Sequence, residues 1–391
     1  MKTNACTPTV SLVLARHRER ALLRGNPWIF SGAVGEIRGP GAEKTGALAE
    51  VFAADGTRLG TALWEPGNGL CARLLSRDDA PLDGAWLART VRRAFARRES
   101  LPLGEGTDSY RAVFSEADGL SGVICDVYAD AASLVLTPGW GPRADELAEI
   151  LLAIPPIRTV FVAVGGEEPR VAGVPRDAVE IRESGFRFRV SPATGQKTGF
   201  YLDQRENRRR VAAYAAGRKC LSAYCCTGAF ELALARGGAA SVLGIDSSAP
   251  ALEEAEAAAE RNGLSSKIEH EEADVPGRLR LARDRGGRYG LIVLDPPRLV
   301  TGKGNLERGL RLYKDINLLA MKLLEPEGIL ATFSCSGLVD RAIFERTLSY
   351  AAHDAGRKVC ILESLGQPAD HPVPLDFPEA AYLKGAICRV S

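Results

Sequence analysis

The sequence predicts an α/β chain in which a small β-barrel and a small α+β module precede a C-terminal doubly wound parallel sheet. Three observations carry this expectation. From Arg205 onward, strand-like and helix-like segments alternate to the end of the chain. The first 72 residues are instead short β-like runs broken by Gly and Pro, and the stretch between follows a strand-strand-helix-strand-strand order without a nucleotide fingerprint. At 391 residues the chain is too long for one ordinary core, and the changes of rhythm place expected boundaries at 1–75, 76–190 and 191–391.

In the N-terminal segment VSLVLA, WIFSGAVGEI, ALAEVFAADG, RLGTALWEP and LCARLLS read as strands, with Asp55-Gly56 and Pro66-Gly67 as turn signals. Many short strands with frequent turns suit a barrel or sandwich. A helix is expected from Leu82 to about Glu99, then strands around RAVFSE and GVICDVYADAASLVL, a helix from Pro142 to Leu152, and strands TVFVAV and FRFRV. Beyond them KCLSAY, SVLGID, a short run from Lys267 to Glu271, YGLIVLDPP and GILATFSCS read as strands. Helices such as PALEEAEAAAERNGL and GLRLYKDINLLAMKLLEP separate them, and VCILES and KGAICRV close the chain. A sheet of this type binds ligands at the C-terminal edge of its strands.

Composition narrows the function classes. With 46% hydrophobic and 25% charged residues, and no apolar segment long enough for a bilayer, the chain reads as globular with no membrane partner. The opening MKTNACTPTV lacks a signal-peptide pattern, so the cytoplasm is the expected compartment. Nine cysteines without a CxxC pair, and only four histidines, argue against a metal site. A net charge of +1 neither demands nor excludes nucleic acid, but basic residues cluster locally. The clusters are Arg16-His17-Arg18 with Arg20; Arg89, Arg92, Arg93, Arg97 and Arg98 on an amphipathic helix; and Arg205 with Arg208-Arg209-Arg210. A solvated face is the usual meaning of one such cluster, yet with three of them at least one is expected to meet phosphate.

The chemistry-bearing residues fall at strand ends. KCLSAY runs into Cys225-Cys226-Thr227-Gly228-Ala229-Phe230 and then a helix, a turn whose backbone can approach a ligand closely. One glycine in place of GxGxxG serves a dinucleotide pyrophosphate poorly. The next strand ends in Asp246, which can accept ribose hydroxyls, and a third in Ala273-Asp274, placed to reach an adenine amino group. By analogy this set suits S-adenosylmethionine, which has no phosphates to cradle. LIVL then ends in Asp295-Pro296-Pro297, where paired prolines leave carbonyls and a carboxylate to accept hydrogen bonds from an amino-bearing base. GILATFSCSG places Cys335 just past its strand, among Ser334, Ser336 and Gly337. A thiolate there could add to carbon 6 of cytosine and make carbon 5 nucleophilic; a buried structural thiol is the bland alternative.

SPATGQKTGFYLDQRENR, AYCCTGAF, VLDPPR, TFSCSG and DHPVPLDFPEAAYLKGAICRV together resemble the bacterial 23S rRNA 5-methylcytosine methyltransferases that carry an N-terminal PUA domain. RGNPWIFSGAV and GTALWEPGNGLCARLLS are similar to that family's PUA segments, and the middle module to its EEHEE domain. The resemblance implies a Rossmann-like methyltransferase domain, S-adenosylmethionine as cofactor, and 23S ribosomal RNA or a large-subunit particle as partner. It implies Cys335 as nucleophile and Asp295 as the residue holding the base and touching the cofactor, with Pro296, Pro297 and Arg298 on the substrate side. It further implies Asp246 and Asp274 at the ribose and adenine. Ala223, Tyr224, Cys225, Thr227 and Gly228 would line the methionine end, with Asp203, Gln204 and Arg205 beside it. Arg298 stands where the two-cysteine cytosine methyltransferases carry a further Cys, so release would proceed without that thiol.

No residue identifies itself as the base for the carbon-5 proton; Lys314, Asp315 and His371 are the candidates. Thr301–Leu306 is glycine-rich without P-loop spacing and suits a substrate lid. The alternatives are methylation of an exocyclic purine amine, and an inactive methyltransferase-like fold acting as an RNA-binding or assembly factor. A dehydrogenase is disfavoured by the missing glycine fingerprint. The sequence leaves room for a homodimer.

Overall fold

The computed structural model describes residues 7–67, 69–193 and 198–391, so Thr194–Lys197 of the first family-like motif lies outside it. The chain forms two compact units. One comprises residues 1–185, 190–202 and 369–380; the other comprises 186–189, 203–368 and 381–391.

The first unit opens with β1 (Val10–Leu14), α1 (Arg20–Leu23), β2 (Trp28–Phe30), β3 (Val34–Arg38), β4 (Leu48–Phe52), β5 (Arg58–Trp64) and β6 (Leu70–Ser76). They form a six-stranded sheet ordered β2-β6-β5-β4-β1-β3, with β1 and β4 parallel. Its apolar side buries Leu12, Val51, Ala62, Trp64 and Ala72. The Trp64 indole N–H, which burial would otherwise strand, donates to Ala42 O at 2.7 Å. WIFSGAVGEI, expected as one strand, is two, because a single 3-10 turn at Ser31–Ala33 redirects it.

After α2 (Gly84–Glu99) come β7 (Ser109–Phe114), β8 (Val123–Tyr128), β9 (Ala131–Leu136), α3 (Ala144–Leu152), β10 (Thr159–Val164) and β11 (Arg170–Gly173). The five strands make a second sheet, ordered β11-β10-β9-β8-β7. Asp83 caps α2 by accepting the Trp86 N–H at 2.8 Å, and the helix turns Leu87, Val91 and Phe95 inward. Arg98 also turns inward: it donates to both carboxylate oxygens of Asp118, at 2.6 and 2.7 Å, and so leaves the basic face on which the sequence placed it. Two short strands, β12 (Val179–Glu183) and β13 (Phe186–Val190), follow.

The second unit alternates as the sequence predicts. Its helices are α4 (Arg205–Ala212), α5 (Ala229–Arg236), α6 (Ala249–Arg261), α7 (Val275–Asp284), α8 (Leu306–Leu323) and α9 (Arg341–Ala355). Its strands are β14 (Lys219–Ala223), β15 (Ser241–Asp246), β16 (Ile268–Glu272), β17 (Tyr289–Leu294), β18 (Leu324–Ser334), β19 (Val359–Gly366) and β20 (Lys384–Val390). They form one sheet ordered β16-β15-β14-β17-β18-β20-β19, parallel except for β20, which runs antiparallel to both neighbours. YGLIVL of β17 is buried along its whole length because helices cover both faces of such a sheet. Side-chain caps start α6, α7 and α9: Ser248, Asp274 and Asp340 accept the N–H groups of Ala251, Gly277 and Ile343. The helix expected through Pro326 ends at Leu323, since the residue before a proline disfavours helical backbone, and β18 begins at Leu324.

Among the described residues no helix is long and apolar enough to cross a membrane, and no group of three or more His, Cys, Asp or Glu is placed to hold a metal.

Candidate active site

The order of the second unit's sheet reverses at β14 and β17: one half of the strands extends from β14, the other from β17. Loops leaving neighbouring strands at such a point diverge and open a crevice. Ala223 ends β14, and its carbonyl accepts the Asp295 N–H at 3.4 Å, so the two loops of interest leave the sheet from a common point.

On one side, Tyr224–Gly228 links β14 to α5. Tyr224, Cys226 and Gly228 have φ of 63°, 49° and 79°. Two non-glycine residues in the left-handed region make this a strained turn that its surroundings must hold. Asp246 holds it: Oδ2 accepts the Cys226 N–H at 2.9 Å, while Oδ1 accepts the Ser248 N–H at 3.0 Å. At Gly228 a Cβ would lie 3.0 Å from that of Ala255, so the turn presses on α6 without room for a side chain. The Thr227 side chain is half-buried within this turn.

Asp274, exposed at the end of β16, caps α7 through the Gly277 N–H at 2.9 Å. Burial pushes the Tyr224 phenol well above its ordinary range, and the nearby Asp274, Asp315 and Asp246 carboxylates raise it further. Acidic acceptors therefore converge on one tyrosine at the strand ends. Such a set fits hydroxyls, an amino group and a cationic centre, and the fit to S-adenosylmethionine rests on it. Burial first, and the same carboxylates second, disfavour ionisation of the two loop thiols. Burial first and then Glu231 and Asp246 push Cys225 upward, and burial and Asp246 push Cys226 up to about 11.

The Leu202–Gln204 turn precedes α4. Tyr382 donates its hydroxyl to Asp203 Oδ2 at 2.6 Å, and Asn207 Nδ2 donates to Gln204 Oε1 at 2.6 Å. Arg205 is buried, with Nε 3.5 Å from Glu206. Arg208 is buried too, its guanidinium 6.0 Å from the Phe230 ring centre, so only Arg209 and Arg210 of this cluster face solvent.

On the other side of the crevice, Asp295 is half-buried, Pro296 buried, and Pro297 and Arg298 exposed. Cys335 is half-exposed between buried Ser334 and Ser336. The two loops are stitched together: the Ser336 hydroxyl accepts the Val300 N–H at 3.1 Å and lies 3.0 Å from the Tyr313 hydroxyl. Arg298 Nη2 comes within 3.9 Å of the position a Cβ would take on Gly337. From β20, Lys384 Nζ donates to Ser336 O and Tyr382 O, both at 2.7 Å. The structure thus joins Asp295, Arg298 and Cys335 in one loop cluster.

Other sequence candidates lie elsewhere. Lys314 pairs with Asp354 at 2.5 Å, and Asp315 bonds Arg280 on the Tyr224 side. His371 belongs to the first unit, 5.3 Å from the Phe114 ring and 3.3 Å from Asp370. In Thr301–Leu306, Asn305 Oδ1 accepts the N–H groups of Thr301 and Gly302, so this glycine-rich stretch is an organised turn. Sequence reasoning named neither Lys384 nor Tyr382 as a site residue, although both fall in the family-like tail DHPVPLDFPEAAYLKGAICRV.

Comparison with known proteins adds names to this geometry. The model of an S-adenosylmethionine-dependent methyltransferase family matches residues 167–389, and that of a PUA-like domain residues 12–77. The chain is 38% identical to ribosomal RNA large subunit methyltransferase I of Shewanella denitrificans over 97% of its own length and 99% of that protein. It is 38% identical to the protein of that name from Erwinia tasmaniensis, over 98% and 100%. Among solved structures, a SAM-dependent methyltransferase from Streptococcus mutans superposes with a TM-score of 0.85 at 21% identity, over 97% of this chain and 99% of that one. A methyltransferase solved with SAH bound gives 0.84 at 20% identity, again over 97% and 99%.

Proposed function

Because the chain belongs to the S-adenosylmethionine-dependent methyltransferase family that includes ribosomal RNA large subunit methyltransferase I, we propose that it methylates carbon 5 of a cytosine in 23S rRNA. The chain is an S-adenosylmethionine-dependent methyltransferase with a PUA-like domain, and its substrate class is large-subunit ribosomal RNA. The proposal concerns the acceptor atom and the chemistry. The observation that carries it is Cys335, half-exposed at the end of β18 in the loop that Ser336 stitches to the Asp295-Pro296-Pro297 loop.

Asp246, Asp274 and the Tyr224–Gly228 turn would hold S-adenosylmethionine, which when bound would supply the methyl group from its sulfonium. The protein's own groups do the rest. Cys335 Sγ, as thiolate, forms a bond to carbon 6, and the electrons of the 5,6 double bond make carbon 5 the nucleophile. Carbon 5 takes the methyl group. Its proton then passes to solvent water, and the electrons of that carbon–hydrogen bond restore the double bond as the carbon–sulfur bond to Cys335 breaks and the thiolate returns. Asp295, at the mouth of β17, accepts hydrogen bonds from the base's amino group and fixes its orientation. Pro296, Pro297 and Arg298 continue that loop on the substrate side, while the buried Asp203, Gln204 and Arg205 brace the methionine end. Arg98, Arg205 and Arg208 are buried, so exposed cations such as Arg89, Arg92 and Arg93 are left to meet RNA phosphate.

Digestion of methylated rRNA to nucleosides tests the acceptor. 5-Methylcytidine is the expected product; a methylated purine amine would overturn the reading in favour of chemistry that needs no thiol.

A further inference from the structure

We propose that Lys384 is the positioning residue that holds Cys335 as its anion, an inference that rests on Cys335 being the nucleophile. The geometry starts from the sheet. β20 runs antiparallel to β18 with Lys384 directly opposite Ser334, the residue before Cys335. The Lys384 side chain then reaches past Cys335 to the carbonyl of Ser336, the residue after it, at 2.7 Å, and to its near neighbour Tyr382 O at 2.7 Å. The ammonium therefore brackets the segment that bears the thiol.

Lys384 is 5% exposed, and both of its hydrogen-bond acceptors are neutral carbonyls. Among the described residues no carboxylate lies within ion-pair distance of it, so its charge is not neutralised by a fixed partner. Burying an unneutralised cation costs stability, and a lysine kept for packing alone would be replaced by an apolar side chain at a gain. Burial pushes this lysine down to about 8, and Cys335 acts in the opposite sense, favouring the ammonium.

The other charged and titratable groups around the pair come from three elements. Asp340 and Arg341 stand at the start of α9, Arg298 on the loop after β17, and Tyr313 on α8. Arg341 is itself occupied by Leu365 O and Gly385 O. Lys384, Arg298 and Arg341 stand here with Asp340, with Glu345 3.6 Å from Arg341 and Asp295 in the same loop cluster, whereas the groups acting on Cys225 and Cys226 are carboxylates and a neighbouring thiol. When Cys335 ionises its proton leaves to solvent and Lys384 stays protonated, so no further reactant is needed.

The test follows the pH dependence of iodoacetamide alkylation at Cys335, read on its own peptide by mass spectrometry in the full chain. The native midpoint should fall below the ~8.5 of a free cysteine. Lys384→Gln keeps a hydrogen-bond donor but not the charge, and should raise the midpoint by about one pH unit or more, with ~10-fold slower alkylation at pH 7. Lys384→Arg should restore most of the shift. A midpoint unchanged in Lys384→Gln would show a merely structural lysine and overturn the proposal. A native midpoint at or above ~8.5 does so without any variant having to fold. Nucleoside analysis separates this from the acceptor question. A low midpoint raised by Lys384→Gln, in a protein whose product is a methylated purine, keeps the lysine's role and removes the cytosine reading. 5-Methylcytidine with an unmoved midpoint removes the lysine's role alone.

Discussion

Asp246 Oδ2 accepts the main-chain N–H of Cys226 at 2.9 Å, so the acidic end of β15 pins the strained turn that leaves β14. The same carboxylate is the one proposed for the cofactor ribose, and on that proposal the shape of the turn is tied to the binding of its ligand. Asp246→Ala should lower S-adenosylmethionine affinity at least about 30-fold, equivalent to ~2 kcal/mol, by isothermal titration. Asp246→Asn, which keeps one acceptor, should lose less. Affinity within twofold of native in the alanine variant would separate the turn from the cofactor site.

Glu231 lies wholly buried in the first turn of α5. Burial pushes its carboxyl up to about 7, against the pull of the Ser222 hydroxyl and the local backbone, and Asp246 adds to the rise. The folded protein therefore binds a proton that the unfolded chain releases near pH 4.5. The stabilisation this provides is full below about 4.5 and is lost as pH rises through about 7. Glu231→Gln, neutral throughout, should match the native protein near pH 5 and exceed its stability at pH 8 by up to about 3 kcal/mol. Denaturant unfolding at the two pH values measures the difference; equal stability at pH 8 would contradict it.

Residues of one arginine cluster should behave in opposite ways. Arg98 is 3% exposed and bidentate to Asp118, so Arg98→Ala should cost about 3–5 kcal/mol of stability, read by unfolding, because it strands a buried carboxylate. Arg92→Ala and Arg93→Ala, on the solvent face of α2, should leave stability within ~0.5 kcal/mol. If they meet phosphate, the double variant should flatten the slope of log affinity for rRNA against log salt by about 1.4–1.8. An unchanged slope would take that face out of RNA capture.

How much of this was legible in the sequence depended on how local each signal is. β17 announces itself as a continuous apolar run because helices bury both its faces, and Asp295 and Cys335 are visible because they follow such runs directly. Asp246 is legible for the same reason, whereas Asp274 follows the polar strand Ile268–Glu272 and is placed only by the alternation of strand and helix. What the sequence hides is long-range pairing. Arg98 and Arg208 look like basic surface until the carboxylate or ring that receives each is brought up from some twenty positions along the chain, Asp118 for the first and Phe230 for the second. Asp203 and Tyr382 meet across 179 positions, and Lys384 reaches Ser336 only because β20 inserts antiparallel beside β18. A lone lysine in an apolar strand gives no hint of that register.

Cys335→Ala should reduce methyl transfer by on the order of a thousandfold or more while S-adenosylmethionine affinity stays near native, since in the proposed chemistry the thiol reacts with the base and not with the cofactor. Single-turnover kinetics beside a cofactor titration separate the two effects.

The most direct measurement of the central claim uses rRNA fragments carrying 5-fluorocytidine in place of cytidine, incubated with S-adenosylmethionine and the full chain. Fluorine cannot leave carbon 5 as a proton does, so the account predicts a denaturation-resistant covalent complex through Cys335, absent in Cys335→Ala. Efficient methylation of the unmodified RNA with no covalent complex on the fluorinated one would contradict it.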